Sequence, residues 1–196
     1  MPLVACRRFV MGLAAAAVVS SFGMPAFAAD PAKLVEGVAQ QVIEIVKTKT
    51  GAARQAAVLQ VLQTSFDLPY MGRAALGTHW NQATEEQRQR FLSAVATAEA
   101  RAYSERFGQY GGQTLTVGKV IPRANGVSIV DSNLNQTSGR PIKLEWEVRG
   151  DKISDVKVEG VSMVMTRRSD FNSYIQNNGG RVDALIAELE KRASSQ

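Results

Sequence analysis

The chain is poor in the groups on which most catalysis depends. Its 196 residues contain one cysteine, Cys6, and one histidine, His79. A disulfide framework is therefore excluded, as are the cysteine and histidine clusters that bind zinc. Ser162 lies in Gly160-Val161-Ser162-Met163-Val164, which lacks the second glycine of a nucleophile elbow. Neither a dinucleotide-binding glycine fingerprint nor a phosphate loop is present. No run of five like charges occurs, and basic residues alternate with acidic ones, which argues against a nucleic-acid binder. No apolar run approaches the roughly 20 residues that span a bilayer.

Two polar residues merit a choice between readings. His79 beside Trp80 could act as a general base, but a structural histidine in a turn is the simpler reading. Glu99 lies near the apolar stripe of a long helix, four residues after Val95 and four before Tyr103. A buried carboxylate there would be a catalytic candidate; a rim position paired with an arginine is the simpler expectation. No catalytic residue, metal site or cofactor is expected, and the chain is read as no enzyme.

Residues 1–28 read as an export signal. Arg7 and Arg8 form a basic start, Phe9 to Val19 an apolar stretch of about 11 residues, and Ala26-Phe27-Ala28 a cleavage site. The arginine pair leaves open Sec or twin-arginine export. Cys6 precedes the apolar stretch, so it is no lipid-attachment site. Removing residues 1–28 leaves 168, and with Arg7 and Arg8 gone the net charge falls from +5 to +3. That length suits one domain, 29–196.

The first part of this domain, 29–112, carries helical spacing. Leu34, Val38, Val42, Ile45 and Val46 follow Asp30-Pro31, a cap and first-turn proline. A second helix is expected over about Ala52 to Thr64. Short pieces broken by Pro69, Gly72 and Gly77 come next, then a capping box, Thr84 with Gln87, opening a long helix through Phe107. From 113 to 165 the period shortens to two. Leu115, Val117 and Ile121 alternate with polar neighbours, Val127 to Leu134 forms a second run, and Ile142, Leu144, Trp146 and Val148 share one face of a third. A three-residue loop, Gly150 to Lys152, pairs Trp146 with Val156 and Leu144 with Val158 and so keeps one face apolar. The apolar phase then slips at Gly160, from Val156 and Val158 to Val161, Met163 and Met165, which reads as a β-bulge in a strand that continues to Met165. Helices over about Arg167 to Asn178 and Val182 to Arg192 close the chain, 166–193. The fold class is α+β, with about four antiparallel strands between N-terminal and C-terminal helices. A bent apolar face covered by helices can pack solid or enclose a pocket; flexible methionines on it suit an irregular apolar ligand.

Three stretches together resemble one family. "FDLPYMGRAALGTHWNQATEEQRQRF" (66–91), "DVKVEGVSMVMTRRSDF" (155–171) and the following "GGRVDALIAEL" are similar to the MlaC family, also described as the toluene-tolerance auxiliary or ABC-transporter-associated phospholipid-binding family. Asp151-Lys152-Ile153 departs from it, since such sequences often place an aromatic residue there. The resemblance implies an NTF2-like curved sheet enclosing an apolar pocket for phospholipid acyl chains. It implies a monomeric periplasmic carrier passing lipid between an outer-membrane lipoprotein complex and an inner-membrane ABC transporter complex with a membrane-anchored substrate-binding component, so maintaining outer-membrane lipid asymmetry. A hopanoid-associated branch of the family, an NTF2-like enzyme and a ligand-free interaction module remain the alternatives. On periodicity, the pocket wall is expected to include Phe66, Met71, Phe91, Val95, Phe107, Leu144, Trp146, Val156, Val158, Val161 and Met163. Arg73, Arg88, Arg90, Arg167 and Arg168 flank the motifs and are candidates for partner docking.

Overall fold

A computed structural model describes residues 30–194, so the export signal expected over residues 1–28 lies outside the described residues. Helix α1 (Pro31–Thr48) starts where the sequence places it: Asp30 Oδ1 accepts from Ala32 N at 3.0 Å, and Pro31 occupies the first turn. Helix α2 (Gly51–Ser65) follows. Asp67 caps α3 (Leu68–Leu76) by accepting from Tyr70 N at 3.0 Å, and Gly77 ends it at φ +59. A single turn, α4 (His79–Gln82), leads to α5 (Glu85–Phe107), whose Thr84–Gln87 capping box is formed in both directions.

The sheet is antiparallel throughout, in the order β1 (Thr114–Pro122), β2 (Val127–Asn135), β3 (Ile142–Arg149), β4 (Lys152–Val158), β5 (Val161–Ser162). It has five strands where about four were expected; the fifth is only two residues long. Trp146 pairs with Val156 and Leu144 with Val158, as the apolar pattern demands. The loop that achieves this is not the expected one. Arg149 pairs with Lys152 across a two-residue turn, Gly150-Asp151, and the register is restored further along, where Glu147 faces Asp155 but Val148 faces Ile153. Ser154 is the extra residue. It is fully buried, and its hydroxyl donates to Glu147 Oε1 at 2.8 Å. A bulge thus bends β4, six residues before the glycine to which the sequence assigned it.

At Gly160 the chain turns instead. Glu159 and Gly160 take φ of +50 and +82 and form the two-residue link that sets Val158 opposite Val161. Met163 and Met165 belong to α6 (Met163–Asn177), which starts ahead of the expected Arg167 because Ser162 caps it, accepting from Met165 N at 3.0 Å. Met165 and Val161 are more than half exposed. The last helix is α7 (Val182–Ser194).

Two apolar cores result. One lies among α3, α5, α6 and α7 and centres on Phe91, Ile175 and Ile186, with Phe91 edge-on to Phe171 at 5.7 Å. The other lies between the sheet and α1, α2 and the C-terminal half of α5; it includes Val35, Val58, Val130, Val148 and Ile153.

Candidate functional site

The second core is the more unusual. Strand register puts Ser132 and Val130 of β2, Leu144, Trp146 and Val148 of β3, and Val156 and Val158 of β4 on one face of the sheet. The one polar side chain in that set is neutralised inside the layer: Trp146 Nε1 donates to Ser132 Oγ at 2.8 Å, and Ser132 is almost wholly buried. Trp146 therefore offers the layer only an apolar ring. Across from the sheet, the helices supply Val35, Val38, Val42, Leu62, Tyr103 and Phe107, the last two stacked with centroids 5.9 Å apart.

This layer is less completely buried than the helical core. Among the described residues, twelve half-buried apolar side chains surround ten buried ones in the sheet core, against six around thirteen in the helical core. Burying an apolar side chain fully stabilises by roughly 1.5–3 kcal/mol, so the half-buried set holds unused driving force for an apolar ligand.

The expected pocket wall divides between the two cores. Phe66, Phe107, Trp146 and Val156 lie in the sheet layer, and Leu144 and Val158 continue its face by one further strand pair. Phe91, Met71 and Val95 belong to the helical core instead, Phe91 with no exposed surface. Val161 points to solvent and Met163 is half-buried in the first turn of α6. The contributions of Leu34, Val42, Leu59 and Tyr103 from the helices, and of Leu115 and Val117 from β1, were absent from the expected wall. The only available signal was amphipathic spacing, which gives a face but not its partner.

Glu99 sits at the edge of this layer and is held as the rim reading expected. It accepts from Arg167 at both oxygens, at 2.6 and 3.0 Å, and Arg167 also reaches Asp170 at 3.3 Å. The hydrogen bond to Glu99 raises the Arg167 pKa further. Burial, followed by the Glu99 charge, pushes the Tyr103 hydroxyl up from its ordinary 10.0.

Of the other arginines, Arg88 donates to the Trp80 carbonyl at 3.0 Å with its guanidinium 5.3 Å from the centre of the Trp80 ring. Arg90 donates to both oxygens of Glu190 at 3.1 Å. Arg73 and Arg168 make no ion pair among the described residues. His79 is buried; its Nε2 lies 3.1 Å from Asn172 Oδ1, and its Nδ1 has no partner among the described residues. An unsatisfied buried polar atom costs about 1–3 kcal/mol. No group of three or more potential metal ligands and no helix long and apolar enough to cross a membrane occurs among the described residues.

Comparison with known proteins agrees with this architecture. The family model of the MlaC protein matches residues 36–191. The fold is similar to that of a phospholipid-binding protein from Ralstonia solanacearum, solved in complex with a phospholipid, with a TM-score of 0.71 at 23% identity over 85% of this chain and 98% of that one.

Proposed function

The chain belongs to the MlaC family, and from that premise we propose that it is a periplasmic phospholipid carrier which holds acyl chains between the sheet and helices α1, α2 and α5. The observation that carries this reading is the excess of half-buried apolar side chains in the sheet layer. Their number suits a ligand that is itself apolar, and Trp146, its N–H already bonded to Ser132, asks nothing polar of that ligand. The phospholipid bound by the Ralstonia solanacearum protein of like fold points to the same ligand class.

A two-chain lipid buries tens of methylenes at about 0.8 kcal/mol each, so unassisted release into water would be extremely slow. Release is therefore proposed to occur on partners: an inner-membrane ABC transporter complex with its membrane-anchored component, and an outer-membrane lipoprotein complex, the exchange maintaining outer-membrane lipid asymmetry. Docking is proposed to use the basic surface of α3, α5 and α6 that carries Arg73, Arg88, Arg90, Arg167 and Arg168.

Native mass spectrometry of protein purified from cells tests the ligand. One or two phospholipid masses are expected on the wild type, with less on Trp146→Ala than on Trp146→Phe, both checked for folding because truncating a core aromatic costs roughly 3–5 kcal/mol. A hopanoid mass would change the ligand class. Bare wild-type protein would replace the carrier with a ligand-free interaction module.

A further inference from the structure

Two neighbouring clefts lie away from the sheet layer, between the turn that joins α3 to α4 and the outer face of α6. They have volumes of about 370 and 340 Å³ and share Gly77, Thr78 and Arg168 as a common wall. Arg73, Asn81 and Tyr70 line one; His79, Asn172 and Ser169 line the other. We propose that this double cleft binds a phosphate-type oxyanion, with Arg168 as the principal ligand and Arg73 as the second charge.

Charge is the first support. The walls carry two arginines and no carboxylate, and neither arginine makes an ion pair among the described residues, whereas Arg88, Arg90 and Arg167 are all committed to carboxylates. A guanidinium presents five N–H donors in a planar fork that matches two oxygens of a phosphate. Among the described residues, none uses the donors of Arg168.

The second support is the way Arg168 is positioned. Its side chain lies flat against the Gly77 turn, so closely that a Cβ on residue 77 would stand 2.9 Å from Nε and 3.2 Å from Cζ. Gly77 also takes φ +59, a conformation that side chains disfavour. The turn thus needs glycine both for its backbone and for the close approach of the guanidinium.

His79 also stands in the wall, more than nine-tenths buried, with Nε2 3.1 Å from Asn172 Oδ1, so its ring serves as a reporter beside the cleft. Neutral donors on Thr78, Ser169 and Asn81 stand by for the remaining oxygens.

The oxyanion could be the phosphate of a lipid headgroup or free phosphate, and one set of spectra separates them. The full mature chain, labelled with 15N, is titrated with inorganic phosphate and separately with dihexanoyl phosphatidylglycerol below its micelle concentration, each against sodium chloride at equal ionic strength. Saturable shifts of the Gly77 and Thr78 amides and the His79 ring are expected, weakened at least tenfold in Arg168→Gln and further in Arg73→Gln/Arg168→Gln. Both side chains are exposed, so these variants should keep the wild-type spectrum elsewhere. Response to the lipid alone identifies the headgroup as the source; response to both identifies the phosphate group itself. No saturable shift with either ligand, the same shift with sodium chloride, or full binding by the double variant would overturn the proposal. The Trp146 indole signal reports the acyl layer independently, so failure at this cleft is distinguishable from failure of the carrier reading.

Discussion

Tyr103 shows how one residue ties the rim ion pair to the apolar layer. Its ring stacks on Phe107 inside the layer, and burial, with the nearby Glu99 charge, favours its neutral form. The folded-state pKa is therefore raised, so between the ordinary tyrosine value and the raised one the unfolded chain holds fewer protons than the folded chain. Stability from this group is complete below the ordinary value of 10.0 and is lost as pH rises through the raised one. Urea melts over this alkaline range should show wild type losing stability faster than Tyr103→Phe. Identical pH profiles would mean that Tyr103 does not titrate differently on folding. At this scale the sequence was partly legible. The spacing of Glu99 on its helix located it at a rim beside an arginine; which arginine was not legible, since Arg167 lies 68 residues away in the chain. The Asn172 partner of His79 was not legible, because nothing local links residues 93 positions apart.

Elements were read well where a local signal fixed them and badly where two signals agreed by accident. Caps at Asp30 and Thr84 placed two helices because each is completed within three residues. At 161–165 the apolar alternation fits a strand, yet it also fits the first turn of a helix, and Ser162 as a cap decides for the helix. The Ser154 bulge left a faint trace, the step in apolar phase from Ile153 to Val156 and Val158, but a three-residue loop accommodates that step equally well. Gly160 now has a defined task in the link between β4 and β5. It sits at φ +82 with no atom near where a Cβ would lie, so the cost of a side chain there is purely conformational. Gly160→Ala should destabilise by about 1–2 kcal/mol, and Gly160→Asn by less, because asparagine tolerates the left-handed region. Thermal melts of both measure the order; equal losses in the two variants would mean that left-handed backbone is not what Gly160 supplies.

For the whole molecule, the division into two cores is what periodicity could not reveal. An amphipathic pattern says that α5 has an apolar face; it does not say that Phe91 packs on Phe171 while Tyr103 and Phe107, three to four turns further along, pack toward the sheet. On the proposed carrier reading, this division separates stability from binding. Phe91 is wholly buried in a filled core, so Phe91→Ala should cost about 3–5 kcal/mol while the fraction that remains folded keeps its lipid. The converse should hold for the sheet layer. A ligand that binds only the folded state stabilises it by mass action, and the gain should be local to the elements it touches. Stripping lipid from the protein should therefore lower Tm and speed hydrogen exchange in α1, α2 and β2 to β4, where half-buried side chains lose their cover. Exchange in α7, which packs through Leu185, Ile186 and Leu189 into the helical core, should change little. If α7 loosened as much as the sheet, the two cores would be one cooperative unit and the lipid would stabilise the fold globally. If neither changed while Tm stayed constant, no ligand would occupy the layer at all.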